Sequence, residues 1–143
     1  ACDMRYATVD AQFAIKEVDI GMAADVGTLQ RMPHLIGDGM LRELALTGRT
    51  FDGEEARSMG LVNRTYTDHE SLLAGVLELA REIAGKSPVA VRGTKEMLRF
   101  MRDHTINDGL EYVATWNASM LQSEDLRIAI AAHMSKQRPE FAN

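Results

Sequence analysis

A chain of 143 residues with 45% hydrophobic and 26% charged side chains has the profile of an ordinary globular protein, with room for one domain and not comfortably for two. Its formal net charge of −5 leaves no basic surplus to neutralise phosphates, which excludes nucleic-acid binding through bulk electrostatics. No apolar run approaches the length of a membrane span. The single cysteine, Cys2, can form no internal disulfide, so a reducing compartment is the default.

The chain starts at Ala1, with no methionine or secretory signal, and runs almost at once into strand-like sequence, so the expectation is a piece of a longer protein. Met4–Thr8 and Gln12–Val18 read as two strands joined by a turn at Val9–Ala11. In the second, Phe13, Ile15 and Glu17 alternate onto one face, and Ala14, Lys16 and Val18 take the other. That period sets a carboxylate, Glu17, beside two apolar side chains. The chain then turns at Gly21, passes Ala23 and Ala24, and reaches a second carboxylate, Asp25, before Gly27 and a short helix from Thr28 that Pro33 begins or breaks. Two acids bracketing a bend suit proton transfer at two separated points of one ligand. Local pattern also offers plainer roles: Glu17 as a strand-end residue paired with Lys16 or Arg5, and Asp25 as the N-cap of the Thr28 helix.

Asp38 reads as the N-cap of a helix over Met40–Thr47 with Gly48 at its C′ position. Asp52 is expected to cap Glu54–Met59, ended by Gly60, and Leu61–Tyr66 reads as a third strand. Three short strands make a poor sheet, so its partners are expected outside this sequence. The remaining half is helical. Asp68 opens a helix with Leu72, Leu73, Val76, Leu77, Ala80, Ile83 and Ala84 on one apolar stripe. Ser87 and Pro88 start the next as N-cap and first residue. Thr105 and Asp108 form a capping box with a shortened acidic partner, and Ser123 caps the last helix. The division expected is 1–66, the end of a strand-and-helix core, and 67–143, a helical region whose surplus apolar surface favours association. The nine methionines read as core filler, and His34, His69, His104 and His133 lack metal-ligand spacing, so no metal site is expected.

At Glu17 the chain also carries a resemblance. Ala1–Tyr6, Phe13, Glu17 and Gly27–Pro33, followed by Leu46–Arg49, Ala56, Gly60–Val62, Lys86–Pro88, Ser123–Leu126 and Arg138–Phe141, are similar in order and spacing to the crotonase superfamily of acyl-CoA enzymes. The aspartate in the loop 16–27 and the stretch Tyr112–Leu121 look like its Δ3,5-Δ2,4-dienoyl-CoA isomerases and little like its hydratases. The resemblance covers the whole chain but only about the C-terminal half of the family's fold. It implies an α/β spiral ββα fold, present as its C-terminal part and mainly helical, with about three short strands.

The same resemblance implies an activity: a 3,5-dienoyl thioester of CoA becomes the conjugated 2,4-dienoyl thioester, a step of fatty-acid β-oxidation. Glu17 would remove the C2 proton and Asp25 would deliver one at C6. Such carboxylates need a partly apolar setting to exchange protons at neutral pH. Oxyanion-hole donors are expected upstream of Ala1, so this stretch alone is expected to be inactive. Lys136 stands where hydratases place a lysine on a phosphate of CoA. No cofactor is implied beyond the CoA of the substrate, and the partners expected are acyl-CoA and further copies in a homotrimer or a dimer of trimers, with neither nucleic acid nor membrane. Localisation would be cytoplasmic for a bacterial protein, otherwise the mitochondrial or peroxisomal matrix. Enoyl-CoA hydratase is the alternative enzyme; an association module without turnover is the non-enzyme alternative.

Overall fold

The computed structural model describes residues 2–142, which divide into two compact units, 2–77 and 78–142. The first unit holds four short strands: β1 (Tyr6–Thr8), β2 (Gln12–Phe13), β3 (Phe51–Asp52) and β4 (Arg64–Tyr66). Its helices are α1 (Thr28–Arg31), α2 (Asp38–Thr47) and α3 (Gly53–Ser58), and α4 (His69–Ala84) begins in it. Single 3₁₀ turns occupy Glu17–Ile20 and Met32–His34.

β1 runs parallel to β4, pairing Ala7 with Thr65, while β2 runs antiparallel to β3, pairing Phe13 with Phe51. The rings of that second pair stack with centroids 5.5 Å apart. Around them Ile15, Met32, Ile36, Leu41, Ala56 and Val62 close a small core centred on Leu44, which is wholly buried. α3 docks tightly on the β1–β2 turn. The Gly53 N–H donates to the Val9 carbonyl at 3.2 Å, and a Cβ on Gly53 would fall on the Thr8 carbonyl oxygen. Behind it, Arg49 holds Glu43 through Nε at 2.8 Å and Glu55 through both terminal nitrogens, Nη1 and Nη2. The guanidinium keeps the Glu55 carboxyl below its ordinary range, and the two acids raise the Arg49 pKa in turn.

Several local expectations are corrected here. The strand expected over Gln12–Val18 stops at Phe13, because Glu17–Ile20 wind into a 3₁₀ turn closed by Gly21 at φ 75°. The face survives the change of backbone: Ile15 is buried and Glu17 half-buried, while Ala14, Lys16 and Val18 are exposed. Asp38 is not a cap but the first helical residue of α2, with Gly37 as N-cap, and it binds Arg42 one turn on at 2.7 Å. The strand expected over Leu61–Tyr66 is confined to Arg64–Tyr66, and β3 is an additional short strand. It escapes a period-2 reading because Asp52 both ends the strand and caps α3, accepting the Glu55 N–H at 2.8 Å.

The second unit contains α5 (Pro88–Phe100), α6 (Ile106–Met120) and α7 (Glu124–Ser135). Each begins with the cap expected. Ser87 accepts from the Ala90 N–H, Thr105 and Asp108 make a reciprocal capping box, and Ser123 accepts from the Leu126 N–H. α5 meets α6 where buried Gly93 lies under the Trp116 indole; a Cβ there would come within 3.0 Å of Cε2. Asp125 ties the start of α7 to that of α5, accepting from the Ser87 hydroxyl at 2.6 Å and the Val89 N–H at 3.3 Å. Within this unit Leu98, Ile106, Leu110, Leu121, Ile130 and Met134 each remain more than half exposed.

Candidate active site

The site grows out of the 3₁₀ turn that replaced the strand end. Lys16 pairs with Asp19 at 3.2 Å, and Arg5 spends its guanidinium on the carbonyls of Leu61 and Cys2. Neither basic residue engages Glu17, so the plain reading of Glu17 as a strand-end ion pair fails. Its carboxylate has no hydrogen-bond or ion-pair partner among the described residues. The turn is closed by the Met22 N–H on the Glu17 carbonyl at 3.0 Å, which points the chain past Ala23 to buried Ala24.

Between this loop and α2 lies a cavity of about 600 Å³, within the range of small-molecule sites. The loop contributes Glu17, Met22 and Ala24 to its wall, and α2 contributes Leu41, Ala45 and Leu46. The α2 residues recur at helical spacing because one face of the helix forms the wall. Asp38 and Arg42 also line it, but they neutralise one another, and the carboxylate raises the guanidinium's pKa by hydrogen bonding. Glu17 is therefore the one charged lining residue without a counter-ion among the described residues. It also borders a second hollow of about 380 Å³ on the side of β2 and β3, shared with Phe13, Thr28, Met32 and Phe51. The Glu17 carboxylate thus borders a mostly apolar wall.

Asp25 lies on the same loop one residue beyond Ala24, but it is exposed and is not part of the cavity's lining. It does not cap α1. Gly27 is the N-cap, at φ 88°, and α1 has no side-chain cap. The plain reading of Asp25 fails because the glycine bends the chain between it and the helix. Lys136 belongs to the second unit, where it ends α7 in the left-handed conformation at φ 54° and is exposed. The Asp38–Arg42 pair has an i,i+4 signal in the sequence, opposite charges one helical turn apart, which the capping role expected of Asp38 hides. No group of three or more His, Cys, Asp or Glu that could hold a metal ion occurs among the described residues.

With that geometry in place, comparison with known proteins decides the lineage. All of residues 1–143 match the family model described as enoyl-CoA hydratase/isomerase. The chain belongs to that family. A crystal structure of enoyl-CoA hydratase from Mycobacterium tuberculosis superimposes with a TM-score of 0.92 at 29% identity, over 99% of this chain and 56% of that one. The fold is thus the crotonase fold, seen over about half its usual length. Among family members of known activity, the peroxisomal Δ(3,5)-Δ(2,4)-dienoyl-CoA isomerase of Arabidopsis thaliana is 50% identical over 142 residues, 99% of this chain and 51% of that protein. The mitochondrial isomerase of Homo sapiens is 52% identical over 133 residues, 92% of this chain and 40% of that protein. The chain spans about half the length of these relatives or less. No helix among the described residues is long and apolar enough to cross a membrane.

Proposed function

We propose that this chain is the C-terminal portion of a Δ3,5-Δ2,4-dienoyl-CoA isomerase and supplies its two proton-transferring carboxylates. The observation that carries the proposal is Glu17, an unpaired carboxylate in an apolar cavity wall, in a chain half identical to such isomerases. Glu17 takes the proton from C2 of the 3,5-dienoyl thioester. The electron pair spreads through the two double bonds into an extended enolate, and its far end, C6, accepts a proton from Asp25. The new double bonds then lie at C2–C3 and C4–C5. Glu17 ends the turnover protonated and Asp25 deprotonated, and exchange with water resets both.

Two separated groups suit this reaction because C2 and C6 are too far apart for one carboxylate to serve easily. Hydration would instead ask both acids to converge on a single water, and an Asp25 outside the lining that holds Glu17 favours the divided arrangement. The backbone donors that stabilise the enolate oxygen are assigned to the part of the relatives that this chain does not span. We assign Lys136 to a phosphate of CoA. The exposed apolar side chains of the second unit are assigned to contacts between copies in a trimer or dimer of trimers. The names of the relatives favour a mitochondrial or peroxisomal matrix for a eukaryotic protein.

The test joins this chain to the N-terminal half of the Arabidopsis relative and follows the absorbance of the conjugated thioester. Isomerisation should appear in the joined protein and not in the 143 residues alone. Glu17→Gln and Asp25→Asn should each abolish it with the fold intact. Full activity in Asp25→Asn would refute the division of labour.

A further inference from the structure

We infer that Arg31 is a positioning residue that fixes Asp25 for delivery of the C6 proton; this rests on the reading of Asp25 given above. Asp25 has no side-chain partner of its own among the described residues, and the helix that follows it has no side-chain cap. Something else must therefore hold the loop. Upstream, the burial of Ala24 anchors it. Downstream, the anchor is Arg31, the last residue of α1, whose side chain folds back along the helix. Its Nη1 donates to the Val26 carbonyl at 3.0 Å, and its backbone N–H donates to the Gly27 carbonyl at 3.2 Å.

Gly27 makes the return possible. At φ 88° it adopts a conformation that residues with a side chain rarely take, and a Cβ there would fall on the guanidinium, with Cζ 2.7 Å away. The planar group thus lies against the bare backbone of the glycine while bonding the carbonyl of the residue before it. A guanidinium can do both at once, whereas a lysine ammonium offers a single rotating point of charge. The carbonyl it grips belongs to the residue next to Asp25, and Val26's own side chain is 76% exposed and anchors nothing. Releasing that grip frees Asp25 to drift from C6, and a displacement of about 1 Å is enough to cost on the order of 100-fold in rate.

The test uses the joined protein with 3,5-dienoyl-CoA in D₂O and reads two processes separately. One is isomerisation, which needs both acids. The other is exchange of the C2 hydrogen for deuterium in recovered substrate, which needs only Glu17. Arg31→Ala should lower kcat by about 10- to 100-fold with KM nearly unchanged, and C2 exchange should persist near its original rate. Arg31→Lys should recover part of the loss. If kcat is unaffected while Asp25→Asn is inactive, the inference fails and the role of Asp25 stands. If C2 exchange falls in step with isomerisation, Arg31 supports the whole site rather than Asp25, and the inference also fails. If Asp25→Asn keeps its full rate, Arg31 has nothing to position and both readings fall. In the 143-residue chain alone, Arg31→Ala should shift the ¹³C resonance of the Val26 carbonyl; an unmoved resonance would deny the contact itself.

Discussion

Leu44 and Leu46 sit two residues apart on α2, and the structure demands very different costs for truncating them. Leu44 is wholly buried at the centre of the first unit's core, and Leu46 is 73% exposed at the rim of the cavity. Leu44→Ala removes three buried carbons, about 2.4 kcal/mol of transfer energy at ~0.8 kcal/mol each. The space left behind, flanked by Leu41 and Ala45 on the same helix, adds a cavity penalty, so the total should be about 3–4 kcal/mol. Leu46→Ala forfeits only the quarter of its surface that is covered, about 0.7 kcal/mol at most. The single tryptophan, Trp116, lies in the second unit, so the direct probe of this core is amide hydrogen exchange along α2 and α3. Exchange through global opening of the first unit should accelerate by at least about 100-fold in Leu44→Ala and by less than about 5-fold in Leu46→Ala. Equal effects, or a Leu44→Ala loss below about 1 kcal/mol, would refute this account of the core.

Other outcomes follow from single contacts. Gly93→Ala should destabilise the second unit by about 1–3 kcal/mol and alter Trp116 fluorescence, because the new methyl strikes the indole; a gain in stability, as helix propensity alone predicts, would contradict the packing. The Thr105 hydroxyl and N–H hold the Asp108 carboxyl below its ordinary range. Its contribution is present above the unfolded value of 3.8 and is lost as pH falls through the lower folded value, so α6 should fray at its start in acid. Amide exchange at the first turn of α6 should show this, and Asp108→Ala should remove the dependence. His104 runs the other way: its Nδ1 faces the Phe100 carbonyl, chiefly, and Asp103, which raise its pKa above 6.5. The stability it confers is complete below 6.5 and fades as pH rises through the folded value, a fade that His104→Gln should abolish in urea titrations.

What the sequence disclosed best was what it encodes within four residues. Ser87, Thr105 with Asp108, and Ser123 start their helices as capping chemistry requires, since each oxygen reaches an N–H only three positions on. Gly48 ends α2 in the left-handed conformation for an equally local reason. Strands were less legible. β1 pairs with β4 from nearly sixty positions away, and nothing in Arg64–Tyr66 announces that partner. The alternation through Phe13, Ile15 and Glu17 was real as a pattern of burial, yet the backbone beneath it left the sheet after Phe13. A period of two records which side chains face the core, and a 3₁₀ turn can satisfy it for one more step.

The two acids show the same limit from the functional side. Their residue types and the bend between them were visible, as was the apolar company of Glu17. The wall that α2 lends to the cavity could not be read locally, because Leu41 and Ala45 come to line the same cavity as Glu17 only after the chain has turned twice. Nor was the Arg31 return to Val26, since an arginine at the end of a short helix ordinarily looks like a solvated residue.

The claim on which the rest depends is that one group takes a proton at C2 while another gives a different proton at C6. A single turnover of the joined protein in D₂O, with product examined by NMR, tests it directly. The account predicts deuterium at C6 of the 2,4-dienoyl thioester. Product whose C6 carries the hydrogen originally at C2 would mean that one carboxylate does both, and would contradict it.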